Sequence, residues 1–233
     1  MTTRKRFLTT SAALAALAPL FDAPQLQAAA SSPQKTDDSI PPLQFDLRAF
    51  DAILKQPAEH RHLFASKWID GGDVFYAMRT TLNAYRDIGI TVSSVHPVAV
   101  LYHMGVILAF DDAVWNELVL PSLSVLDRKL RGDVPSDLKK GDGNPYLRQP
   151  LKKPNSASVV NEMRMEASVH YFICNNALQG FASTLAPALQ MEAAAVYARF
   201  TAGLIPHATI VPAGVWAIHA VQERGYTLLQ TSL

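Results

Sequence analysis

Several features that would assign a function at once are absent from this sequence. It contains one cysteine, Cys174, so no disulfide can form within the chain, and no Cys/His cluster has the spacing of a zinc site. The GxSxG, P-loop and GxGxxG patterns are missing, which removes the usual support for a serine hydrolase or a nucleotide-binding protein. The formal net charge is +1, and without a concentrated basic face we expect no binding to nucleic acid.

What the sequence does have is the composition of a folded domain. Its 233 residues are 49% hydrophobic and 18% charged, which suits one soluble domain with a substantial core. Beyond the N-terminus, no apolar run is long enough to cross a bilayer, so we expect no membrane anchor.

The N-terminus has the layout of a secretory signal. Arg4–Arg6 precede the apolar run 11–20, and Ala28–Ala30 supply the small residues that a signal peptidase requires. Arg-Lys stands where a twin-arginine signal has Arg-Arg, so the twin-arginine and Sec routes both stay open. We predict a twin-arginine-like signal over residues 1–30, cleaved near Ala30, then a flexible linker over 31–42 and a periplasmic mature protein.

Residues 43–233 carry helical and strand patterns that alternate along the chain. Helical spacing follows Asp46 and Asp73. Residues 95–101 are predicted to be a buried parallel strand, because Val98, Val100 and Leu101 make both of its faces apolar. Further strands are predicted to end at Cys174, at Val211 and near Leu229. Such alternation implies right-handed βαβ crossovers, and it predicts a single α/β domain whose largely parallel sheet is covered by helices on both faces.

Proline, glycine and serine give the predicted boundaries of elements. Pro187 is expected to interrupt a helix, and Pro212 to lie near the first turn of another. Ser156 or Ser158 is expected to begin a further helix. Between residues 131 and 154, glycine, proline and charged residues alternate, which predicts a long irregular loop on the solvated surface.

Cys174 and His103 are the candidate catalytic residues. Each follows an apolar run that is predicted to be a strand, and ligands of open parallel sheets bind beyond the carboxyl ends of the strands. We expect the two strands to be neighbours, which would bring both side chains to one edge of the sheet. Unpaired amides at the start of the helix after Cys174 would favour its thiolate. Asn175 and Asn176 are expected to cap that helix and to donate hydrogen bonds to the sulfur.

Plainer interpretations of these residues stay open. A single cysteine at a strand end is more often a packing residue than a nucleophile. His60 and His62 alternate on one predicted strand and could be metal ligands, but the sequence offers no third ligand, so we predict no metal and no cofactor. The other histidines are expected to be structural: His96, His170, His207 and His219.

Six segments carry a common pattern in their order and spacing. They are Leu82–Tyr85, Val100–Gly105, Leu108–Trp115, Phe172–Leu178, Val211–Val215 and Gln222–Tyr226. Together they resemble the DsrE/DsrF-like family of sulfur-relay and sulfur-oxidation proteins, and in particular its exported, uncharacterised branch. The resemblance covers about residues 45 to 229, and His207 stands where that family usually has a glycine.

The resemblance implies a three-layer α/β fold with a mainly parallel sheet of about five strands, assembled as a homo-oligomer. In sulfur-relay members a cysteine after this strand accepts sulfane sulfur as a persulfide, and Cys174 occupies the matching position. The implied function is to bind or transfer sulfane sulfur between a donor and an acceptor. The alternative is a non-catalytic, oligomeric module that binds a small ligand or a metal, in which Cys174 is structural.

Overall fold

A parallel five-stranded sheet forms the centre of the fold. The computed structural model describes residues 40–126, 134–149, 157–158 and 169–231. The strands are β1 (His60–Ser66), β2 (Val95–Leu101), β3 (His170–Cys174), β4 (Ala208–Val211) and β5 (Thr227–Gln230). Their order across the sheet is β4-β3-β2-β1-β5, and every pairing is parallel. The predicted α/β fold with a sheet of about five parallel strands is confirmed.

Helices cover both faces of this sheet. They are α1 (Leu47–Leu54), α2 (Asp73–Asp87), α3 (Asp112–Val114), α4 (Asn175–Leu189), α5 (Ala193–Ala202) and α6 (Gly214–Gln222). Side chains alternate between the two faces of a strand. Val98 and Phe172 therefore pack with α1 and α6, whereas Ala99 and Ile173 pack with α2, α4 and α5. The result is the expected three-layer arrangement.

Two predicted boundaries are wrong and one is confirmed. Pro187 does not interrupt α4, because it lies in the last turn, where its missing N–H removes only one intrahelical hydrogen bond. Pro212 directly precedes Ala213, the N-cap residue of α6, and so lies near the first turn as predicted. Ser158 does not begin a helix but pairs, with Ala157, antiparallel to residues 148–149. Ser156 itself lies outside the described residues.

The loop predicted to be solvated is instead partly buried. Its described part, 134–149, includes the fully buried side chains of Asn144 and Tyr146. Asn144 Nδ2 donates to the carbonyl oxygens of Leu108, at 3.2 Å, and Phe110, at 2.7 Å. Because buried backbone acceptors need donors, this amide fixes the irregular segment to the core.

The N-terminal predictions fall mostly outside the described residues. The predicted signal over 1–30 and the predicted linker up to residue 39 lie outside the described residues. The described residues all belong to one compact unit, Lys35–Leu233. The end of the predicted linker is not free, because Ile40 is 7% exposed and packs into the core. None of the described helices combines the length and apolarity needed to span a bilayer.

Candidate functional site

The carboxyl ends of β2 and β3 meet at one edge of the sheet, and this edge holds Cys174. The two strands are hydrogen-bonded neighbours in which Leu101 pairs with Ile173. The expectation that the strands before His103 and Cys174 are adjacent is therefore confirmed. The register also makes Tyr102 the residue level with Cys174, since each is the next residue along its chain.

Two helices begin beside the Cys174 side chain. Cys174 is the N-cap residue of α4, and its side chain makes no capping hydrogen bond. The N-cap residue of α6, Ala213, makes none either. A β carbon built on Gly214, the first residue of α6, would lie 3.3 Å from Cys174 Cβ and 2.3 Å from Tyr102 Cβ. Only glycine lets α6 start this close to the strand ends. First-turn amides carry partial positive charge, so both helix ends favour an anion here.

The thiol itself is nearly enclosed. Cys174 is a free cysteine with 7% of its surface exposed, and it belongs to the core that α4 and α5 cover. The following residue, Asn175, is 6% exposed, and its Oδ1 accepts a hydrogen bond of 2.6 Å from the Tyr197 hydroxyl. Burial raises the pKa of Tyr197, so the hydroxyl keeps the proton that it donates.

The predicted roles of the two asparagines as caps are wrong. An N-cap residue precedes the first helical residue, and here that position is occupied by Cys174 itself. Asn175 is the first residue of α4, and its side-chain oxygen is used by Tyr197 instead. Asn176 lies in the same first turn and is exposed to solvent.

His103 lies just beyond β2 in a backbone conformation that favours glycine. Its φ is 51°, its side chain is exposed, and its ring meets the Trp68 ring at a centroid distance of 4.8 Å. The chain then returns to the end of β1, where the Gly105 amide donates to the Lys67 carbonyl at 2.9 Å. Strained conformations of this kind concentrate at functional sites. The ring contact with Trp68 places His103 beside the end of β1.

The sequence did not reveal Tyr102 and Gly214 as neighbours of the thiol. The Pro-Ala-Gly signal at 212–214 marks a turn before a helix, but the approach of that helix to Cys174 depends on strand order. In the described parts of the chain, no three or more His, Cys, Asp or Glu side chains are grouped so that they could hold a metal ion. His60 and His62 lie at the opposite edge of the sheet, where β1 begins.

Comparisons with known proteins identify no family for this chain. No protein-family model and no curated protein matches it. Among solved structures, the chain is similar to the protein of unknown function MTH1491 from Methanobacterium thermoautotrophicum. The two share 17% identity with a TM-score of 0.38, over 74% of this chain and 99% of that one.

Proposed function

We propose that Cys174 carries sulfane sulfur as a persulfide. The observation that carries this proposal is the convergence of the N-termini of α4 and α6 on the single thiol of the chain, with no capping hydrogen bond from either N-cap side chain. Partial positive charge at both helix ends favours an anionic sulfur, and the thiolate is the nucleophilic form. The resemblance of Phe172–Leu178 to sulfur-relay proteins supports the same assignment.

The loading step needs no outside oxidant. The Cys174 thiolate attacks the sulfane sulfur of thiosulfate or of a polysulfide, and a new S–S bond forms to Cys174. The S–S bond of the donor breaks, and sulfite or a shorter polysulfide leaves with the electron pair. An acceptor thiolate then attacks the outer sulfur of the persulfide, and Cys174 leaves as the thiolate.

The neighbouring residues would assist this exchange in different ways. First-turn amides of α4 and α6 would hold the negative charge of the donor and of the persulfide. His103 lies at the same sheet edge with its ring against Trp68, and on turning toward Cys174 it would donate a proton to the departing group. Asn175, held by Tyr197, would position the first turn of α4, and the exposed Asn176 would contact the bound anion.

Intact-mass spectrometry after incubation with polysulfide or thiosulfate tests the proposal. Wild-type protein should gain about 32 Da, the mass of one sulfur atom on a cysteine, and Cys174→Ser should gain nothing. Because the chain has one cysteine, the difference between these two proteins assigns the sulfur to it. His103→Ala should load more slowly. His219→Ala, which alters an exposed histidine of α6, is the matched control and should load normally. An unchanged wild-type mass would refute the proposal.

One observation favours a second function. The 7% exposure of Cys174 and its place in the core fit a structural cysteine in a non-catalytic module that binds a small ligand. In that case iodoacetamide should modify the thiol only after unfolding, and polysulfide should leave the mass of the native protein unchanged. Rapid modification of the native protein would exclude the structural role.

The proposed setting is the periplasm, with the protein assembled as a homo-oligomer. The signal-like pattern of residues 1–30 and the family resemblance support it. Protein isolated from a periplasmic fraction should have an N-terminus near Ser31, and light scattering should give a multiple of the chain mass. A monomer found only in the cytoplasm would contradict both expectations.

A further inference from the structure

A second cluster of reactive side chains lies at the opposite edge of the sheet, where β1 begins. His60 and His62 are two residues apart on β1, so both project from the same face of the strand. The ring of Tyr85, in α2, packs against both, with centroid distances of 4.6 Å to His60 and 5.5 Å to His62. All three side chains are half-buried, which leaves them within reach of solutes.

Hydrogen bonds fix which nitrogen of His62 carries its proton. Thr227 Oγ1 donates its hydroxyl proton to the carbonyl oxygen of Arg61, at 3.1 Å. The same oxygen lies 3.1 Å from His62 Nδ1, and with its proton already used it can only accept there. Nδ1 therefore carries the proton, and Nε2 presents its lone pair to the Tyr85 hydroxyl, 2.7 Å away.

This arrangement has the features of a histidine prepared to bind a cation. Nε2 of His62 presents a lone pair and not a proton, as a metal ligand must, because its proton is on Nδ1. In metal sites the ligating histidine generally donates its other N–H to a fixed oxygen, as His62 does to Thr227. The Tyr85 hydroxyl, directed at the lone pair, supplies a second donor atom.

We propose that His60, His62 and Tyr85 form a binding site for a divalent transition metal, with copper(II) as the best-suited ion. Two ligands at right angles, each about 2.0 Å from an ion, are about 2.8 Å apart. His62 Nε2 and Tyr85 Oη are 2.7 Å apart, so both can bind one ion once the imidazole turns its lone pair from Oη to that ion. Copper(II) accepts imidazole and phenolate donors, and among divalent ions it binds such sites most tightly.

Binding of the ion replaces one proton. The Tyr85 hydroxyl releases its proton to solvent, which breaks its hydrogen bond to His62 Nε2. The phenolate oxygen and Nε2 then each bond to the copper ion. His60 supplies a third donor from the same strand face, and water completes the coordination because the cluster is half-exposed. The Tyr85 oxygen is required for tight binding, since the site otherwise has only two protein donors, His60 and His62.

The site does not depend on the proposed function of Cys174. His60 pairs with Val95 at the amino-terminal ends of β1 and β2, whereas Cys174 ends β3 at the other edge of the sheet. The experiment is therefore carried out on the full chain with Cys174→Ser as the parent protein. This removes the one thiol that could reduce or bind copper(II).

Copper(II) is titrated into this parent and followed by calorimetry and visible absorption. We expect one equivalent to bind, with a phenolate-to-copper charge-transfer band. Adding Tyr85→Phe should abolish the band, and His62→Gln should weaken binding at least tenfold. Thr227→Val, on an exposed position of β5, should weaken it about tenfold by releasing His62 Nδ1. His219→Ala should change nothing.

The parent protein alone can overturn the proposal. Absence of binding at micromolar copper(II), or tight binding without the charge-transfer band, would exclude Tyr85 as a ligand and with it the site. Equal affinity in the parent and in Thr227→Val would likewise contradict the orientation of His62 that the hydrogen bonds imply. Circular dichroism checks that each variant compared is folded.

Discussion

Acidification should destabilise this fold through His96, a buried histidine of β2. His96 is 1% exposed, and its Nδ1 lies 2.6 Å from the Tyr226 hydroxyl, which also accepts a 3.3 Å hydrogen bond from Arg61. Burial first, then the proximity of His170 and Arg61, lower the pKa of His96 to about 4. The folded protein therefore resists protonation at this site.

The sign and size of the effect follow from linkage. The unfolded chain binds this proton with the ordinary histidine pKa of 6.5, and the folded chain binds it only near 4. The contribution of His96 to the free energy of unfolding is fully present above pH 6.5. It is lost as the pH falls from 6.5 to about 4, because protons then bind preferentially to the unfolded state. Each pKa unit is worth 1.36 kcal/mol, so the loss approaches about 3 kcal/mol at pH 4 and below.

Urea unfolding of wild type and His96→Gln across this pH range provides the assay. Glutamine does not titrate, so the difference between the two proteins isolates His96 from the carboxylates and from His62. Near neutral pH the variant should be less stable, since it loses the imidazole that packs beside Tyr226. Toward pH 4, wild type should lose about 3 kcal/mol more than the variant. Parallel pH dependences would refute the reasoning.

Three further substitutions test close packing and backbone conformation by urea unfolding or thermal melting. Gly105→Ala should destabilise by about 1–3 kcal/mol, because its β carbon would lie 2.4 Å from the Ser66 carbonyl oxygen; an unchanged midpoint would be inconsistent with that approach. His207→Gly should stabilise by about 1 kcal/mol, since φ at this exposed residue is 62°; a lower melting temperature would show that the side chain contributes more than the backbone conformation costs. Tyr197→Phe should cost about 1–2 kcal/mol by leaving the buried Asn175 oxygen without its donor, and no change would imply that another donor replaces the hydroxyl.

The central part of the fold could be predicted because its signals are local. Residues 95–101 are buried along their whole length, and the apolar residues 98–101 indicated a strand covered on both faces. Asp46 caps α1, accepting hydrogen bonds from the amides of Arg48 and Ala49 at 2.8 and 3.0 Å. Both patterns can be interpreted from residues that are close together in the sequence.

Errors arose where tertiary contacts override local composition. The loop that includes Asn144 is polar and rich in glycine and proline, yet that one amide satisfies two core carbonyl groups and buries the segment. The sequence predicted a solvated loop because that prediction used the composition of the segment and not its contacts with the core. The helix through Pro187 persists for a similar reason, because its Leu185 and Ala186 are buried in the core.

The candidate sites were only partly visible in the sequence. The strand ends at Cys174 and His103 could be predicted, but the register that sets Tyr102 beside the thiol requires strand order. The pairing of His62 with Tyr85 also escaped prediction, because the two residues lie on different elements that meet only in the folded chain.

Counting the sulfur released from loaded protein tests the central claim, that Cys174 carries sulfane sulfur, most directly. Protein is exposed to thiosulfate or polysulfide, freed of excess donor and treated with cyanide, which takes the outer sulfur of a persulfide as thiocyanate. We predict about one equivalent of thiocyanate per chain from wild type and none from Cys174→Ser. Equal amounts from both proteins, or none from either, would contradict the account.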